Sequence, residues 1–283
     1  MQILGYHNHN FFCDGKEAPE NYILEAVNQG FTHFGFSSHA PFFFDNPWSV
    51  PVEKMAEYAK TINYLTQKYA DKLMILKSLE IDYLPGKIAS FDDFRDRYSL
   101  QYVIGSIHYV LHPTTKEMLF IDGPADRFAT NFQRVFNGNV EFVVKSYFDQ
   151  TKQMIVAGRP DIIGHIDKLM MNLKQFFPAD TLYPEWYTHE MEDLLKVIAN
   201  HKTIVELNLR GLIKRKWHTT FISEFFLPYC KNFNIPMIIS TDAHHPSEIS
   251  AYYEFGIQLL LNAGIGSVAK WSAEGWLQEA IKI

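Results

Sequence analysis

Histidines and carboxylates recur in this chain where apolar, strand-like runs give way to loops. Tyr6-His7-Asn8-His9 closes the first run, Ser38-His39 the second, Leu79-Glu80 the third and Ser106-Ile107-His108 the fourth. Gly164-His165 closes the fifth, and Thr241-Asp242-Ala243-His244 the last. Neutral imidazole and carboxylate together suit zinc, manganese or iron. A single histidine at a strand end is usually a core or surface residue. Six histidines with Glu80 and Asp242, repeated at the same end of successive strands, point instead to a metal centre. Residues i and i+2 of an extended segment project to one side, so His7 with His9 and Asp242 with His244 can each serve one cluster. Asp14, followed by Gly15 in the first loop, adds a further donor. That count is too high for one four-coordinate zinc and calls for two or three divalent ions.

These donors need a scaffold that brings strand ends together. The runs at 2–7, 33–39, 73–82, 101–108, 161–165, 203–208 and 236–241 are short and rich in Ile, Val, Leu and Phe. They often lack alternation, as expected for strands buried on both faces of a parallel sheet. Helical patterns lie between them. Pro19 opens the first and Gly30 stands where a C-terminal cap belongs. Met55, Tyr58, Ala59, Ile62 and Leu65 give the second an apolar stripe. Further helices are expected over 140–157, 186–200, 219–232 and 247–262, with a final amphipathic segment over 268–281 packing across the outside. Residues 84–97 and 112–126 read as loops with short helices, long enough to cover an active-site mouth. Alternation of strand and helix implies right-handed crossovers and a parallel sheet. Seven strands suggest an α/β fold, a distorted (β/α)7 TIM-like barrel, in one domain spanning 1–283. All the donor-bearing ends then share one rim, where barrel enzymes build their sites.

Composition narrows the function. The chain has 283 residues, 47% hydrophobic and 20% charged, which excludes disorder as its main state. Its formal charge is −6 and its densest basic run is Lys214-Arg215-Lys216, so no long nucleic acid is expected as a partner. Two distant cysteines, Cys13 and Cys230, give neither a disulfide framework nor a zinc ribbon. No signal-peptide pattern or membrane-length apolar run is visible, so the expected location is cytoplasmic. Neither cysteine has an arginine six residues on, which removes the cysteine-phosphatase loop. There is no G-x-x-x-x-G-K-S/T loop, and His189-Glu190 is not H-E-x-x-H because Asp193 stands in the fifth position.

In order along the chain, the donor motifs resemble those of the polymerase-and-histidinol-phosphatase family of metal phosphoesterases. His7-Asn8-His9 matches its opening H-x-H, Ser38-His39 its second motif and Glu80 its bridging glutamate. Ser106-Ile107-His108, Gly164-His165-Ile166-Asp167 and Asp242-Ala243-His244 match the rest. The resemblance implies a distorted seven-stranded α/β barrel with a trinuclear centre. His7, His9, Glu80 and Asp242 would hold the first ion. Glu80, His108 and His165 would hold the second, and Asp14, His39 and His244 the third. Glu80, Asp242 and His165 are the catalytic candidates, with a hydroxide between the first two ions attacking phosphorus.

The phrases Phe12-Cys13-Asp14-Gly15, Ser38-His39-Ala40-Pro41 and Glu206-Leu207-Asn208 resemble the stand-alone histidinol-phosphate phosphatases of the family. L-histidinol phosphate is thus the expected substrate. Another small phosphorylated molecule is the alternative, and a silent metal-binding regulatory module the third reading. In the family an arginine follows G-H-x-D and another lies after E-x-N, both contacting phosphate. Here Lys168 follows the first motif, a point charge rather than a bidentate fork. After the second come Arg210, Lys214 and Arg215. These four and His218 are the substrate-binding candidates. Trp48 and the Phe42–Phe44 run are candidates for a pocket wall. Asp167 is a candidate for orienting its own loop or a ligand. The sequence does not reveal an oligomeric state.

Overall fold

The computed structural model describes residues 3–177 and 183–282. Seven parallel strands form one sheet. They are β1 (Ile3–Gly5), β2 (Phe31–Phe36), β3 (Met74–Asp82), β4 (Tyr102–Ser106), then, after the hairpin β5 (Tyr109–Leu111) and β6 (Met118–Phe120), β7 (Ile162–Ile163), β8 (Ile204–Asn208) and β9 (Met237–Ser240). The strand order is β1-β2-β3-β4-β7-β8-β9. Beyond the last strands, Asn8 bridges Ala243 in parallel and the His9 N–H donates to the Ala243 carbonyl at 2.8 Å. That contact brings the two edges together, so the sheet is a nearly closed barrel. Each strand is shorter than its apolar run. Beyond the C-terminal ends of β1, β2, β4, β7 and β9 the surplus residues lead into the ligand-bearing turns.

Helices surround the barrel. They are α1 (Pro19–Asn28), α2 (Met55–Lys68), α3 (Phe91–Tyr98), α4 (Ala125–Phe136), α5 (Val140–Gln153), α6 (Met170–Leu173), α7 (Glu185–His201), α8 (Arg210–Ile213), α9 (Leu227–Asn232) and α10 (Tyr253–Asn262). α1 starts at Pro19 and ends before Gly30, which has φ +77°. α2 buries Met55, Tyr58, Ile62 and Leu65 against the sheet. Ser90 and Asp93 form a reciprocal capping box that starts α3.

Four segments differ from the sequence expectation. Residues 219–232 do not form one helix. The β-branched run Thr219, Thr220, Ile222 resists helix formation, and Phe221 exchanges main-chain hydrogen bonds with Asn208. Only α9 follows, after a 3₁₀ turn at Glu224–Phe226. Residues 247–262 begin with a 3₁₀ turn at Pro246–Glu248, and α10 starts only after Tyr252, whose φ of +60° breaks the helix. Residues 112–126 hold the second strand of the β5–β6 hairpin rather than a short helix. Residues 268–281 form the antiparallel hairpin β10 (Ser267–Ser272) and β11 (Gly275–Ala280). Trp271 pairs directly with Trp276 across it, the kind of aromatic pair that stabilises a two-stranded ribbon. This hairpin packs on Tyr6, whose ring meets Trp276 edge-on at 5.0 Å and whose hydroxyl accepts from the Trp271 N–H at 3.0 Å.

Among the described residues, no helix is long and apolar enough to cross a membrane.

Candidate metal centre

The C-terminal ends of the strands converge as the parallel order requires. His7 and His9 follow β1, His39 follows β2, Glu80 lies on β3, and His108 follows β4. His165 follows β7, and Asp242 and His244 follow β9. His39 and Glu80 are bridged in parallel. Gly164 must be glycine, because a Cβ there would lie 2.4 Å from the Ser106 hydroxyl oxygen. Ser106 in turn donates to Glu80 Oε1 at 2.6 Å.

The donor atoms face one another at short range. His7 Nε2 lies 3.2 Å and His9 Nε2 3.5 Å from Glu80 Oε2. His9 Nε2 is 3.2 Å and His7 Nε2 3.9 Å from Asp242 Oδ1. His39 Nδ1 is 3.1 Å from Glu80 Oε2, and His165 Nε2 is 2.9 Å from Glu80 Oε1. His244 Nε2 lies 3.3 Å and His39 Nε2 3.9 Å from Asp14 Oδ1. Asp14 is the most open donor, with its side chain 31% exposed.

Three groups have donor atoms within 4.8 Å of one another: His7, His9 and Asp242; His39, Glu80 and His108; and His9, Asp14, His39 and His244. The first holds three of the four residues expected for the first set, without Glu80, and the third holds the expected third set with His9 added. The second differs, because His39 stands where His165 was expected and His165 abuts Glu80 from the other side.

The chemistry of these atoms fits cations. Buried polar groups normally find hydrogen bonds. Here His7 Nε2, His9 Nε2, Asp14 Oδ1, His39 Nδ1, His165 Nδ1 and Asp242 Oδ1 are buried and make none. All but His165 Nδ1 belong to residues of those three groups. Burial works to raise the Glu80 and Asp242 pKa values, yet the imidazoles facing them hold both well below the usual carboxylate range. Burial pushes His39 down to about 3, leaving a neutral ring. Against burial, the carboxylates facing His7 and His9 push both rings up, His9 to about 10, so a cation binding there would displace their protons.

A cavity of about 410 Å³ opens over the cluster. Lys168, Arg210 and Lys214 line it, as do Lys16 and Lys216. Arg215 and His218 are exposed and lie outside that lining. Asp122 sits 3.0 Å from Lys168 Nζ and 3.5 Å from Lys216 Nζ. Glu248 accepts from Arg210 at 2.5 Å and lies 3.9 Å from Lys214. These two carboxylates sit in connections without a motif, and nothing in their local sequence marks them. Trp48 forms part of the wall, edge-on to His39 at 5.1 Å, and Phe42 backs it at 5.2 Å from outside the lining. Asp167 orients a loop: its Oδ2 accepts from the Ser223 N–H at 2.8 Å, and burial pushes its carboxyl up to about 7. His112 caps its own turn by accepting from the Thr114 and Thr115 N–H groups, whereas His245 lines the cavity.

Two supporting carboxylates were not read as site residues from the sequence. Glu206 Oε2 lies 2.6 Å from His7 Nδ1, and Asp82 lies 3.1 Å from His108 Nδ1. The signal available was their place on the same strands as the donors: Asp82 ends β3, two residues beyond Glu80, and Glu206 lies on β8.

Comparison with known proteins gives a consistent picture. A histidinol-phosphatase of Bacillus subtilis is 27% identical over 277 residues, covering 90% of this chain and 98% of that protein. A probable histidinol-phosphatase of Schizosaccharomyces pombe is 24% identical, covering 95% and 89%. The crystal structure of a putative histidinol phosphatase from Listeria monocytogenes superposes with a TM-score of 0.78 at 21% identity, over 89% of this chain and 99% of that one. A histidinol phosphate phosphatase from Lactococcus lactis, solved with zinc, L-histidinol and phosphate, gives 0.71 at 20% identity, over 98% and 99%. The family model for the PHP domain matches residues 5–210, and this chain therefore belongs to the PHP domain family.

Proposed function

We propose that this chain is a metal-dependent phosphomonoester hydrolase whose substrate is L-histidinol phosphate. The observation that carries the reaction class is the convergence of buried, unpaired imidazole and carboxylate atoms beneath a cation-lined cavity. The substrate is supported by the relatives named histidinol-phosphatase and by the zinc, histidinol and phosphate of the Lactococcus lactis structure.

His7, His9, Glu80 and Asp242 would hold one ion. Glu80 and His108, with His39 or His165, would hold a second, and Asp14, His39 and His244 a third. When bound, zinc, iron or manganese at such a centre acidifies water and neutralises the phosphoryl and leaving-group oxygens. The chain's own residues do the rest. Lys168, Arg210, Lys214 and Lys216 draw the phosphate into the cavity, while Asp122 and Glu248 hold their side chains in place. Trp48 and Phe120 supply apolar wall to the cavity. A second reading, hydrolysis of another small phosphate ester, is favoured by Lys168 standing in place of the family's arginine, which removes one bidentate phosphate contact. A silent regulatory module would have lost part of its donor set, whereas all nine donors are present.

A phosphate-release panel tests this. Protein loaded with zinc, manganese or iron(II) is given histidinol phosphate, sugar phosphates, nucleoside monophosphates and short oligonucleotides. The highest kcat/KM is expected for histidinol phosphate. A larger value for another monoester would favour the second reading, and no phosphate release from any of them would contradict the proposal.

A further inference from the structure

The Glu206-Leu207-Asn208 run at the end of β8 contributes no donor to the cluster, yet its two polar side chains are fully buried. Every contact they make leads to the cluster or its rim. Glu206 Oε2 accepts from His7 Nδ1 at 2.6 Å. Glu206 Oε1 accepts from the His165 main-chain N–H at 2.8 Å and from Asn208 Nδ2 at 2.6 Å. Asn208 Nδ2 also lies 3.3 Å from Asp242 Oδ2, and Asn208 Oδ1 accepts from the Arg210 N–H at 2.8 Å.

We propose that Glu206, with Asn208, is a positioning residue that fixes the tautomer of His7 and holds His165 and Asp242 in place for cation binding. This rests on reading the cluster as a metal centre.

A carboxylate can only accept, so when a cation takes Nε2 the one proton left on the His7 ring must sit on Nδ1. That leaves the Nε2 lone pair facing Glu80 and Asp242. Imidazole ligands are commonly set in this way by a carboxylate behind the ring. The same carboxylate reaches a second donor through the backbone. His165 has φ +26° and Asp242 has φ +49°, a region that residues with side chains rarely adopt. Such conformations persist only where the surroundings over-determine them. Glu206 supplies the bond to the His165 N–H, and Asn208 the contact to the Asp242 carboxylate. One buried side chain thus links a donor after β1, one after β7 and, through its neighbour, one after β9.

Glu206→Gln separates this role from mere packing, because the shape is kept and one acceptor becomes a donor. Three donors now face Glu206. An amide turned with its NH2 toward His7 would drive the His7 proton to Nε2. Turned the other way, it would oppose the His165 N–H and the Asn208 amide. The expected result is Zn2+ affinity about 10- to 100-fold below wild type by chelator competition, with an unchanged circular dichroism spectrum. In wild-type protein loaded with Zn2+, nitrogen-15 spectra should show His7 protonated at Nδ1 and coordinated through Nε2. That measurement needs no variant to fold. Wild-type Zn2+ affinity in folded Glu206→Gln, or His7 bound through Nδ1 in the wild type, would overturn the proposal. A wild type that binds Zn2+ with the expected His7 tautomer but releases no phosphate would sink the proposed function and leave this inference standing.

Discussion

The inner and outer halves of the donor cluster are built differently. In the inner half, His7 and His108 are backed by the carboxylates Glu206 and Asp82, and Glu80 and Asp242 are nearly inaccessible to solvent. In the outer half, Asp14 comes from a loop and is 31% exposed on its side chain. His244 is steadied by a main-chain carbonyl, that of Asp242, at 2.9 Å. Both ring nitrogens of His39 face cluster carboxylates, Nδ1 facing Glu80 at 3.1 Å and Nε2 facing Asp14 at 3.9 Å, and its ring meets Trp48 edge-on. Fixed orientation raises the affinity of a ligand set, so cation affinity should fall from the inside outwards.

Substitutions can break or sharpen that contrast. Asp242→Asn removes a buried negative charge facing both His7 and His9, and turnover should fall by ~100-fold or more, beyond what loss of a supporting residue usually costs. Inner-half metal should fall with it, read by elemental analysis of the same samples. Asp14→Ala should cost about 10-fold in turnover, nearer the effect of a supporting residue, and retain the inner equivalents. If Asp14→Ala emptied the whole centre and Asp242→Asn did not, the graded picture would be reversed.

Trp48→Ala should leave metal content intact and raise KM several-fold, a loss of about 1 kcal/mol typical of one aromatic contact. Steady-state kinetics on histidinol phosphate would show it.

The last expected effect is on stability rather than turnover and concerns the loop held by Asp167. Burial raises the Asp167 carboxyl to about 7 when folded, against about 3.9 unfolded. The folded state therefore holds this proton more tightly, and stability is greatest below about pH 4 and declines as pH rises towards about 7. Asp167→Asn removes that decline. Melting curves between pH 5 and 8 should show the variant gaining on the wild type as pH rises, by roughly 1–2 kcal/mol at the top. A gap that closes with pH would contradict it.

The contrast also explains what was legible in the sequence. The barrel strands were readable because strands covered on both faces are plain apolar runs, and the donors were readable because they hug the ends of those runs. The supports were not. Asp82 looks like an ordinary polar residue in a strand, and Glu206 stands out only as part of the Glu206-Leu207-Asn208 phrase; only the fold shows that each backs an imidazole. The pairing of Asp122 with Lys168 and Lys216, and of Glu248 with Arg210, joins separate loops and leaves no local spacing to read. Periodicity also misjudged segments whose neighbours decide their form. Residues 219–232 are held extended at first by Asn208, and 268–281 become a hairpin because Trp271 and Trp276 pair over Tyr6. α4, whose buried Phe128, Phe132, Val135 and Phe136 form a helical stripe, lies outside the helices expected from the sequence.

Metal analysis of the undenatured wild-type protein tests the central claim most directly. Two to three equivalents of zinc, iron or manganese per chain are predicted, falling when Asp242 is replaced by Asn. A stoichiometry near zero after incubation with these metals would contradict the account.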